Sequence, residues 1–251
     1  MGPRREYAEH LVARMKALYG QPDTNVSVQE FQFPHLDLTE YHRFRHALEA
    51  VGYRYLGDHE TINVSNNSTS VMARTMVRNM ISADGETCAG HYQVHPRMQQ
   101  VLRNLFAGVL NLRLIDAPAS FLRMLKTKLV YDFVSEVGGK YVVTSNAEAA
   151  GAINAPASVD TKFFPYDTAL IEVRTAHEAR LTVAVARAGS EPTRMTTYAD
   201  VEAMQARLKL QKAAHRAASG WITREELRIM ARGNVALADE IFEEVQAIVS
   251  R

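Results

Sequence analysis

Cys88, His91 and His95 stand at Cys-x-x-His-x-x-x-His spacing, and thiolate with imidazole is a donor set that zinc accepts. On a helix the three would share one face. Thr87 to His95 instead alternates as a strand, with Cys88, Gly90, Tyr92 and Val94 on one side and His91, Gln93 and His95 on the other. At the rise of a strand the two histidines lie about 13 Å apart, whereas ligands of one zinc sit about 2.0–2.3 Å from the ion. The pattern predicts no shared metal, a small buried cysteine and a polar strand face. If the protein is an enzyme or a small-molecule binder, that face carries the site: His91, Gln93 and His95, with His177 beside them.

His42 and His46 stand four apart with Glu49 nearby. This is the histidine spacing of zinc enzymes, but Arg43 occupies the place of the catalytic glutamate. On a helical wheel the pair lies opposite Phe44 and Leu48, so a solvated face is expected. His177 differs, because it falls inside an apolar stripe between Val173 and Leu181. A histidine there needs hydrogen-bond partners, or serves as a general base beside a pocket. Ser135, Ser145 and Cys88 are available nucleophiles, but none sits in a Gly-x-Ser-x-Gly elbow. Gly138-Gly139-Lys140 lacks the spacing of a phosphate loop, and no Gly-x-Gly-x-x-Gly fingerprint occurs. No cofactor is expected.

The elements that would position these residues form blocks. Helical spacing is present over 6–19 and over 39–51, where Tyr41, Phe44, Leu48 and Val51 share a face. The period then shortens, and strands are predicted over 53–64, 71–81, 87–95 and 121–136. Ser65 to Ser68 reads as a turn, and Asp84-Gly85 as a hairpin signal. In the last strand Phe121, Leu125, Leu129, Tyr131 and Phe133 point one way, and Lys126, Lys128, Asp132 and Glu136 the other, as in a half-buried sheet. Two glycines at 138–139 predict a two-residue hairpin that pairs Val137 with Lys140, Phe133 with Thr144 and Ser135 with Val142. Residues 149–165 read as loop and 167–184 as helix, and Gly189 to Pro192 as a linker. The remainder is all-helical, with N-terminal caps at Thr197 and Thr223, the second a Thr-x-x-Glu capping box. Helix follows sheet in blocks, so the class is α+β: an antiparallel sheet of about four to six strands covered by helices, with an all-helical C-terminal extension. The domain boundaries expected are 1–188 and 193–251.

Composition narrows the function. The 251 residues carry 29 basic and 28 acidic side chains, a formal charge of +1, so any pull toward nucleic acid or acidic lipid must be local. One cysteine allows no internal disulfide and favours a reducing, cytoplasmic setting. No signal peptide or membrane span is apparent. The basic residues gather between Thr87 and Tyr131: Arg97, Arg103, Arg113, Arg123, Lys126 and Lys128, against the single acid Asp116. Within this stretch a helix predicted over 97–114 sets Val101, Leu102, Leu105, Phe106, Val109 and Leu110 opposite Arg97, Arg103 and Arg113. Such a helix covers a sheet, meets a partner or lies on an anionic membrane. The acidic residues Asp239, Glu240, Glu243 and Glu244 make the last helix unfit to read DNA. The first expectation is thus a non-enzymatic binding or scaffold protein that acts through this helix and the helical tail, as a homo-oligomer or with a protein partner. An enzyme or small-molecule binder at the histidine face is the alternative. Association of 97–128 with an anionic membrane or nucleic acid is the third.

Overall fold

A computed structural model describes residues 3–62, 74–94, 127–231 and 234–250. Helix α1 spans Pro3–Tyr19 and is followed by β1, Asn25–Ser27, and a 3-10 turn at Glu30–Gln32. Helix α2 is Leu38–Glu49, started by the Asp37 carboxylate accepting from the Thr39 amide. Strands β2 (Arg54–Thr61), β3 (Val77–Ile81), β4 (Cys88–Val94), β5 (Lys128–Val137), β6 (Lys140–Ser145) and β7 (Val159–Phe163) follow. Helices α3 (Leu170–Ala188), α4 (Tyr198–Ala218), α5 (Arg224–Met230) and α6 (Val235–Val249) complete the chain.

The seven strands form one sheet in sequence order, antiparallel except for the parallel pair β6–β7. The α+β class is as expected, with more strands than the four to six foreseen. Two short edge strands make the difference. β1 has three residues, and β7 lies in the stretch read as loop. β7 escapes notice because Asp160 and Lys162 are exposed and prolines flank it, which is how an edge strand is kept from pairing further. The Gly138-Gly139 hairpin pairs as predicted, Val137 with Lys140, Ser135 with Val142 and Phe133 with Thr144. Both glycines hold positive φ, 56° and 74°.

The half-buried sheet is a correction, because helices cover both faces. One face carries α2 and α3 over Phe44, Leu48, Tyr53, Met80, Ala89, Phe133 and Val173. The other carries α4, whose Val201, Met204 and Leu208 pack with Ile81, Cys88, Tyr141 and Val143. Both alternating sets of β4 and β5 therefore meet protein. Helix α1 joins the C-terminal helices, with Ala8 and Val12 packed on Ile222, Leu227, Ala238, Ile241 and Val245. The acidic last helix is thus a packing helix, with Asp239 and Glu243 paired to Arg224. Both capping boxes form, at Thr197 with Asp200 and at Thr223 with Glu226. Strands predicted over 71–81 and 121–136 begin later, at Val77 and Lys128; residues 71–73 and 121–126 lie outside the described residues, as does the turn at 65–68.

The turn between β3 and β4 is locked against the segment before α4. Gly85 has φ +77°, and a β-carbon there would lie 2.5 Å from the Met195 carbonyl oxygen. Gly139 has φ +74° with nothing within 4 Å. Gly139→Ala should cost only the left-handed backbone term, about 1–2 kcal/mol. Gly85→Ala should cost clearly more, since Met195 must also give up its amide bond to the Gly85 carbonyl. Thermal unfolding of both variants checks this, and equal losses would refute the lock.

Candidate functional site

Among the described residues the histidine face is covered. His91 is fully buried beneath α2, its ring 4.6 Å from that of Tyr41, 5.0 Å from Phe44 and 5.2 Å from Tyr131. Its Nδ1–H donates to the Val130 carbonyl at 2.9 Å, which leaves Nε2 as a buried acceptor without a partner among the described residues. Gln93 is buried as well and exchanges hydrogen bonds with the Asp37 backbone. His95 lies outside the described residues. Cys88 points to the opposite face, as alternation requires, and burial pushes its thiol up to about 12. His42 and His46 are exposed on α2 near Glu30 and Glu49.

His177 is held apart from His91, beyond Phe133. Its Nε2 lies 3.0 Å from the Ser135 hydroxyl and its Nδ1 3.0 Å from the Thr144 hydroxyl. One ring nitrogen donates and the other accepts. Ser135 in turn meets Thr87 at 2.9 Å. A serine beside a histidine is the geometry of an activated nucleophile, but Ser135, Thr144 and His177 have no solvent exposure. Burial, then Arg180, lowers the His177 pKa to about 3. A base that weak does not activate serine near neutrality. The polar partners satisfy a buried imidazole.

The opposite face holds a different arrangement. Strand register aligns Asn79, Gly90, Asp132 and Ser145 in one row across β3, β4, β5 and β6. This polar row crosses the middle of a face whose next row, Ile81, Cys88, Val134 and Val143, is apolar. Helix α4 runs over it and contributes Lys212, while Tyr92 projects from β4. Gly90 leaves room. Among the described residues, a β-carbon on it would meet one heavy atom within 4 Å, Val77 Cγ1 at 3.7 Å. Asn79 is fully buried and its amide nitrogen donates to His59 Nδ1 at 2.6 Å. Its Oδ1 has no partner among the described residues, and neither has the buried hydroxyl of Tyr198, whose ring lies 5.5 Å from that of His59.

Burial shifts the titratable groups of this row in opposite directions. Burial raises the Asp132 carboxyl above its ordinary range, against the opposing pull of the Ser145 hydroxyl, Lys212 and the Tyr92 hydroxyl. Burial lowers Lys212, against the attraction of Asp132. Tyr92 is raised well above a free phenol by burial and by Asp132. His59 is lowered to about 4, chiefly by burial. An acid shifted up facing an amine shifted down brings both proton affinities toward neutrality, a pattern that gathers at functional sites. Asp132 and Lys212 are both half-buried.

Of the sequence candidates, only Ser145 belongs to this row. Asp132 and Lys128 share a strand side in the sequence, but a helix above them is not visible there. Lys212 gives a fainter signal: it follows Val201, Met204 and Leu208 at helical spacing, a lysine at the end of an apolar stripe. The interaction residues Arg97, Leu102, Arg103, Leu105, Phe106, Val109 and Arg113 lie outside the described residues. No protein-family model, curated protein or solved structure matches the chain.

Proposed function

We propose that the protein binds a compact polar molecule between α4 and the middle of the sheet, with Asp132 and Lys212 as its acid–base pair. The observation that carries this reading is the polar row Asn79–Gly90–Asp132–Ser145, whose glycine side meets a single atom, Val77 Cγ1 at 3.7 Å, among the described residues. Asp132 and Lys212 attract one another, and neither is in an ion pair within 4 Å among the described residues. A polar ligand between them would take a hydrogen bond from Lys212 and offer a donor to Asp132. This keeps the small-molecule reading but moves it from the histidine face to the opposite one. A reducing, cytoplasmic setting suits the single buried thiol.

Thermal unfolding against a panel of amino acids, hydroxy acids and sugars tests the proposal. A ligand at a hundred times its Kd stabilises by about 2.7 kcal/mol, which moves Tm by several degrees in a chain of this size. The shift should vanish in Asp132→Asn combined with Lys212→Met, and in Gly90→Val, which fills the space. A panel without any stabilising compound, or a shift unchanged by those variants, would reject it.

A second reading is favoured by one topological fact. β2 and β4 run the same way, so their last residues, Thr61 and Val94, lie at the same end of the sheet. The helix predicted over 97–114 follows β4 in the sequence and lies outside the described residues. Contact of that end with a protein partner, a second copy or an anionic membrane is our alternative. Light scattering together with flotation on phosphatidylserine vesicles decides it; a strict monomer that ignores vesicles and co-purifies alone would remove it.

A further inference from the structure

A groove of about 370 Å³ opens between the second half of α3 and strands β6 and β7, on the face opposite the polar row. Its origin is side-chain size. The first half of α3 fills its contact with the sheet through Val173 and His177. The second half presents Ala179, Val183, Ala184 and Ala188, which are too small to close the gap to Val142. Val183 is left 55% exposed. Arg180 crosses from helix to strands and donates to the Val143 carbonyl, the Thr144 hydroxyl and the Asp160 carbonyl, and it pairs with the Asp160 carboxylate. Its charge is thereby matched. Lys140 and Arg187 also line the groove, and among the described residues they form no ion pair or side-chain hydrogen bond. The lining thus combines apolar walls with two exposed cations that have no acidic partner among the described residues. A ligand that satisfies both is apolar along its length and negative at one end.

We propose that this groove binds a single-chain amphiphilic anion, a medium-chain carboxylate whose chain lies along Val142, Val183 and Ala184 and whose head meets Lys140 and Arg187. The site is independent of the polar row. Isothermal titration of the full chain with dodecanoate below its critical micelle concentration tests it, with 1-dodecanol and dodecyltrimethylammonium for comparison. Dodecanoate should bind saturably at one site. The alcohol should bind at least about tenfold more weakly, since a charge-assisted contact is lost, and the cation should not bind. Lys140→Glu with Arg187→Glu should weaken dodecanoate at least about tenfold and leave the alcohol unchanged. Ala184→Trp should abolish binding of both with an unaltered circular dichroism spectrum. No saturable binding, equal affinity for all three amphiphiles, or binding that survives Ala184→Trp would each overturn the proposal. So would a dimer that Ala184→Trp dissociates, because a second copy would then be the occupant. Lost binding by a Lys140→Glu, Arg187→Glu protein that melts normally supports the charge assignment even where the tryptophan variant fails to fold.

Discussion

At pH 5 the protein is expected to have lost roughly 6 kcal/mol of the stability it has at pH 7.5. Three buried histidines carry this effect. Burial is the main cause in each: it lowers His59 and His91 to about 4 and His177 to about 3. In the unfolded chain each returns to about 6.5. Below that value the unfolded state takes up protons that the folded state refuses. The stability is therefore fully present above about pH 6.5 and falls as pH drops from there toward the folded values. Each histidine contributes about 1.4 kcal/mol per pH unit within that window, or about 2 kcal/mol by pH 5. Asp132 has the opposite sign, because its raised carboxyl takes up a proton earlier in the folded state. Glu86, raised by burial, shares that sign, so two carboxyls oppose three histidines. A loss of this size approaches the whole stability of an ordinary domain, about 5–15 kcal/mol. Urea unfolding between pH 7.5 and 5 measures it. His91→Phe isolates one contribution, because phenylalanine suits the ring of Tyr41, Phe44 and Tyr131 and removes only the bond to Val130. Its pH slope should fall by about a third. A flat profile from pH 7.5 to 5 would rule the account out.

These histidines also mark how far the sequence could be read. Alternation separated Cys88 from His91 correctly, because a strand's period is a local property of the backbone. The glycine pair at 138–139 set a hairpin register over six residue pairs for the same reason. What local pattern could not supply was the second layer. His91, Gln93 and Asp132 all look like solvent-facing polar residues in the sequence, and each lies under a helix. Whether the polar side of a strand meets water depends on chain that returns later, here α2 and α4. The row Asn79–Gly90–Asp132–Ser145 takes its members from four strands, and its register was legible only between β5 and β6. The 3.6-residue stripe of α3 did place His177 in the core, and the hydroxyls that satisfy it come from β5 and β6.

Removing either member of the Arg216–Glu226 pair should destabilise the protein by about 3–5 kcal/mol, while removing both together should cost less than the sum. Arg216 is 1% exposed and Glu226 not at all. Arg216 NH1 lies 2.6 Å from Glu226 Oε1, close but out of hydrogen-bonding alignment. The NH2 group donates to the Asn154 carbonyl. The Glu226 carboxylate accepts from the Asn154 amide at 2.6 Å and from the Thr223 amide at 2.7 Å. One buried pair thus ties α4, α5 and the connection before β7. Arg216→Met leaves a buried carboxylate with amide donors alone, and Glu226→Gln leaves a buried guanidinium without its counter-charge. Each lone charge keeps its desolvation penalty and loses its attraction. In Arg216→Met with Glu226→Gln neither charge remains, so the second substitution should recover part of the first loss. Thr223→Ala separates this from capping, since it removes the hydroxyl of the box and leaves the pair, for about 1 kcal/mol. Chemical unfolding of the two single variants, the double variant and Thr223→Ala gives the coupling energy. Strictly additive losses, or single losses no larger than that of Thr223→Ala, would show that the pair is not what holds α4 to α5.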